Sequence, residues 1–117
     1  MRENLELLRR ALESRDARYS SDFLVAVIHC LTLEVRDLLS RGFPSASEIE
    51  LIGGINELTH LLSAHARHLI NGRIERYPDE VFIDIIDERA GKCGGTDRLD
   101  RAIRLASQTI AIHSKEV

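Results

Sequence analysis

Three histidines, His60, His65 and His68, fall within one stretch of helical apolar periodicity, and histidine is the side chain best suited to bind zinc or move protons near neutral pH. Zinc proteases place two histidines four apart around a glutamate, so that both rings face one ion. The spacings here are five, three and eight. On a helical wheel His65 borders the apolar side, His68 lies farther out and His60 faces nearly opposite. Only His65 and His68 can share an ion, with ligands supplied from elsewhere, and this pair defines a metal-binding or enzymatic alternative. One boundary histidine and two solvated ones explain the same pattern. A split set of His29, Cys30, Cys93 and His113 has no Cys-x-x-Cys or His-x-x-x-His pair to anchor an ion.

Glu80, Asp84, Asp87 and Glu88 lie along one side of a fourth helical stretch, where paired carboxylates can exchange protons or hold a hard cation. They also sit opposite Val81, Phe82 and Ile85, as a solvated or partner-facing side would. No calcium loop, phosphate-cradling glycine loop or nucleophile elbow occurs. Cys93, beside Lys92 and between glycines, has the surroundings of either a reactive thiol or an ordinary exposed one. Around Gly53 the segment 47–62 has the outline of a DNA-binding helix-turn-helix, a second alternative. Its would-be recognition helix, Ile55 to Leu62, carries Glu57 and His60 but no Arg or Lys to grip phosphate. Nucleic acid is therefore not an expected partner, and no catalytic residue, metal ligand or cofactor is assigned.

These residues must be positioned by helices. Met1, Leu5, Leu8 and Leu12 mark a short first helix. Ser20, Ser21 and Asp22 offer caps for a second, with the stripe Phe23, Leu24, Val27, Ile28, Leu31, Val35 and Leu38 and a stop at Gly42. Ser45 and Glu48 have capping-box spacing, followed by Ile49, Ile52, Ile55, Leu58, Leu62, Ala66 and Leu69 up to Asn71-Gly72. Gly53-Gly54 predicts a kink, a break or a close helix crossing in this third helix. Tyr77-Pro78 opens the fourth, with Val81, Phe82, Ile85 and Ile86 inward. The segment 90–95 reads as a flexible loop, and Thr96 caps the fifth helix.

Leu99, Ile103, Ala106 and Ile110 form one stripe on that fifth helix, and Ala102, Leu105, Thr109 and Ile112 form another beside it. An apolar arc so wide suits either a central helix or one shared with a second subunit. Leu33, Val25 and Ile83 lie off the main stripes of their helices and extend such a surface. The candidate interface is thus Ala102, Leu105, Thr109, Ile112, Leu33 and Ile83.

At 117 residues, 44% hydrophobic and 4% aromatic, the chain suits one domain with an aliphatic core. A net charge of -3 gives no general attraction to phosphate or anionic membrane. The charged amino terminus and the absence of a long apolar run point to a cytoplasmic protein without leader or membrane span. The expected architecture is all-α, a single-domain bundle of four to five helices over 1–117, with the third helix kinked or broken near Gly53-Gly54. What chemistry leaves unused is apolar surface together with Glu57, His60, Arg67, Glu80, Asp84 and Asp87 as partner-binding candidates. This points to a small non-catalytic regulator or adaptor, a homodimer that binds another protein, for instance as an antiactivator sequestering a transcription regulator or enzyme.

Overall fold

The computed structural model describes the backbone of residues 3–71 and 79–116, and the side chains of 3–71 and 80–110. Among the described residues five helices follow one another: α1 (Glu3–Leu12), α2 (Ala17–Leu39), α3 (Ala46–Ile70), α4 (Asp79–Cys93) and α5 (Thr96–Glu116). Among the described residues there is no strand. The helices close into a ring in which α2 touches α3 and α5, α3 touches α4, and α1 completes the circuit by lying against both α4 and α5. The buried side chains form a single cluster, led by Leu8, Leu24, Leu31, Ile55, Leu58, Leu62, Ile83, Ile86, Leu99 and Ile103.

Local chemistry explains the helix ends. The cap of α2 is Asp16, whose carboxylate accepts the backbone N–H of Arg18 at 3.0 Å and of Tyr19 at 3.3 Å. Ser20 and Ser21, expected as caps, are instead buried one turn inside, and the Ser20 hydroxyl donates to the Ala11 carbonyl at 2.6 Å, tying α1 to α2. The capping box at α3 forms as predicted. Ser45 Oγ accepts from the Glu48 N–H, and Glu48 Oε1 accepts from the Ser45 N–H. Gly42 takes φ +104, the left-handed region expected of it. Gly72, Tyr77 and Pro78 lie outside the described residues.

Segment 90–95 is mostly helix rather than a flexible loop, because a single left-handed residue suffices to end α4. Gly94 takes φ +76, Gly95 N–H donates to Ala90 O at 2.8 Å and Gly94 N–H donates to Gly91 O at 3.3 Å, a Schellman stop. Likewise α3 runs unbroken through Gly53-Gly54. A close crossing explains Gly54, where a methyl group would fall on Cys93 Cβ and Sγ, but not Gly53, where one would meet nothing. Continuous helix there leaves no turn between two helices, so the helix-turn-helix geometry suggested for 47–62 is absent.

The inward faces differ from expectation on two helices. On α4 the buried side chains are Phe82, Ile83, Ile86 and Ala90, while Val81 is exposed and Ile85 half-buried. The face is rotated because α4 packs on α1 as well as α3. On α3, Ile49 is exposed and His65 is buried.

Candidate interaction surface

The wide apolar arc of α5 divides between core and surface. Leu99, Ala102, Ile103 and Ala106 are fully buried, since α5 packs on α2 and on α1. Ala102, and Ile83 on α4, were expected at a subunit interface. Both are fully covered within their own chain and have no surface to offer. Leu105 stays 40% exposed and Leu33 on α2 43% exposed, and Thr109 is exposed too, so these three retain the outward position expected of them. The Ile112 side chain lies outside the described residues. Between α2 and α5 runs an open groove of about 490 Å³, lined by Asp22, Val25, Ala26, His29 and Cys30 on one wall and Thr109 and Ile110 on the other.

Deeper in the same helix pair sits a polar cluster that the apolar stripes do not announce. Glu34 is buried, yet Arg98 Nη1 and Arg101 Nη2 each donate to its Oε2 at 2.7 Å, and Arg101 Nε donates to Oε1. Arg98 also reaches Asp37 at 3.5 Å. Burial pushes the Glu34 carboxyl up, but the two guanidiniums outweigh it and hold the group below its ordinary value. The signal for this cluster was present in sequence as a glutamate standing in core phase, Val27, Leu31, Glu34, Leu38.

The polar candidates on α3 and α4 do not form one face. Glu57 is exposed and paired across the helices with Arg89, beside a recess of about 320 Å³ that Leu61, Ile85, Glu88 and Lys92 also line. Glu88 and Lys92 pair within α4 at 3.0 Å. Glu80 and Asp84 border a second recess, of about 310 Å³, against Arg9 of α1. His60 and Arg67 are exposed on α3, and Asp87 is exposed on α4.

His65 is buried in the α3–α4 contact, where its ring lies on that of Phe82 with centroids 3.9 Å apart and planes 12° from parallel. His68 is half-buried one turn on. Among the described residues, no three His, Cys, Asp or Glu side chains gather as metal ligands. Cys30 and Cys93 are free thiols. Burial, with the charge of Glu34 beside it, raises the Cys30 thiol above its ordinary value, away from reactivity. Cys93 is half-buried on Gly54 rather than carried on a mobile loop, and its thiol donates to Ala90 O at 3.5 Å.

A hydrophobic corner escaped sequence reasoning altogether. Leu39, Phe43 and Ile49 project at the junction of α2 and α3, with the Phe43 side chain wholly in solvent. An aromatic residue inside the short connection Ser40 to Ser45, where nothing requires one, was the available cue. Among the described residues, no helix is long and apolar enough to cross a membrane. No family model, curated protein or solved structure matches the chain.

Proposed function

We propose that this chain is a small non-catalytic regulatory or adaptor protein that works by protein–protein binding, as a homodimer that captures another protein such as a transcription regulator or an enzyme. The supporting observation is a set of large exposed aliphatic and aromatic side chains: Val25, Leu33 and Leu105 on α2 and α5, and Leu39, Phe43 and Ile49 in and beside the α2–α3 connection. Single exposed aliphatics are ordinary, but several on helices that pack together, with Val25 lining the α2–α5 groove, are the material of an interface core. The charged residues of α3 and α4, Glu57, His60, Arg67, Glu80, Asp84 and Asp87, supply partner choice rather than affinity.

Phe43 is the anchor best placed for the captured protein, since aromatic side chains set into a pocket dominate binding energy. The test is quantitative co-purification from the native cell with the wild type, Phe43→Asp and Leu105→Glu as baits. One protein retained stoichiometrically by the wild type and lost with Phe43→Asp supports the reading. Stoichiometric zinc or iron retained by the purified chain through dialysis overturns it in favour of a metal-binding bundle using His65 and His68.

A further inference from the structure

The outer ridge of α2 is complementary to itself when turned end for end about His29. Arg18, Asp22, Val25, His29, Leu33 and Arg36 fall within an arc of about 80° facing away from the core, and every one of them is exposed, Val25 to 52%. Reversal about His29 exchanges position 22 with 36 and 25 with 33. An antiparallel second α2 therefore sets Asp22 against Arg36 and Val25 against Leu33, each contact made twice, with the two His29 side chains meeting on the axis. This is the relation a two-fold interface demands, in which a patch must complement itself.

Charge selects this arrangement over the in-register parallel one. A parallel pairing would bring Asp22 to Asp22 and Arg36 to Arg36. Within its own chain Asp22 has a loose ion pair with Arg18 at 3.7 Å, and Arg36 has none among the described residues, so both are available to a partner. The ridge is continuous with the groove, since Asp22, Val25, Ala26 and His29 form one of its walls and Thr109 and Ile110 the other.

We infer that a second copy of this chain docks antiparallel along α2, with His29 on the two-fold axis and Asp22–Arg36 pairs closing both ends of a Val25–Leu33 contact. The inference rests on the dimeric part of the proposed function and assigns its surface to α2 rather than to the second stripe of α5.

The experiment is sedimentation equilibrium on the full chain at concentrations up to about 50 µM, for the wild type, Asp22→Arg, Arg36→Asp, the double reversal and Leu105→Glu, with far-ultraviolet circular dichroism showing that each exposed-site variant keeps its helix content. The expected result is a dimer whose dissociation constant rises about tenfold or more in either single reversal, where like charges meet twice per dimer, and recovers in the double reversal. A wild-type dimer indifferent to the single reversals, or single reversals that the double does not rescue, overturns the α2 seam while leaving dimerisation standing. A wild type that stays monomeric overturns the dimer itself.

Discussion

Where α3 crosses α4, Gly54 lets Cys93 press onto the neighbouring backbone, and the buried His65 ring lies flat on Phe82. Where α2 meets α5, a carboxylate and two guanidiniums occupy space that aliphatic side chains would otherwise fill, and the pair opens into a groove of about 490 Å³. The first contact depends on shape, and any added atom disturbs it. The second depends on charge balance and leaves apolar edges uncovered. A bundle that must fold and also present a surface can divide the two tasks between different helix pairs in this way.

Removing the positive partners should disturb the second contact most. Arg98→Met with Arg101→Met leaves Glu34 buried without a counter-charge and should cost about 3–5 kcal/mol in chemical denaturation. Glu34→Met should cost less than half as much, because Arg101 is half-exposed and regains water while Arg98 keeps Asp37 at 3.5 Å. Equal losses from the two variants would show that Glu34 is not the desolvated member.

Gly54→Ala tests the first contact and should lose about 1–3 kcal/mol by overpacking against Cys93. Its neighbour provides the contrast: Gly53→Ala should gain roughly 0.5–1 kcal/mol, since the added methyl group meets nothing and the helix becomes less costly to order. Thermal melts of the two variants should shift in opposite directions.

Acid should weaken the α2–α5 contact through Glu34. The folded-state pKa of Glu34 lies below its ordinary 4.5, so its contribution is complete above that value and is lost as pH falls through the lowered one. Glu48, held low by its backbone and side-chain hydrogen bonds with Ser45, acts in the same direction from an exposed position. Glu34→Gln should therefore flatten the fall in stability below pH 4.5, while Gly54→Ala should leave its slope unchanged.

Much of this was legible in the chain before any coordinates. The α2 stripe, the Ser45–Glu48 box and the left-handed Gly42 follow from side-chain period and local hydrogen bonding, which act over a few residues. Three errors share another origin. Ser20 and Ser21 looked like caps because their chemistry suits caps, but the Ala11 carbonyl satisfies Ser20 inside the core. Gly91 looked like loop, yet a helix tolerates it where Gly94 alone makes the turn. Ala102 and Ile83 looked like surplus apolar surface until α1 proved to cover a side of each helix. The Glu34 cluster was hidden by distance, with its two arginines 64 and 67 residues along the chain. The Phe43 corner was missed because periodicity has nothing to say about a six-residue connection.

The stop at Gly94 has a mechanical consequence. Helices α4 and α5 share a two-residue corner, touch little along their lengths, and are held apart by α1, which lies against both. They form the arms of a V with α1 as its wedge. The 21-residue α5 is about 30 Å long, so tilting it by about 10° at that corner carries its far end about 5 Å by simple leverage. The first ten helical residues of the chain thus bear on the tilt of α5, one wall of the α2–α5 groove, alongside the Glu34 cluster that fastens α5 to α2.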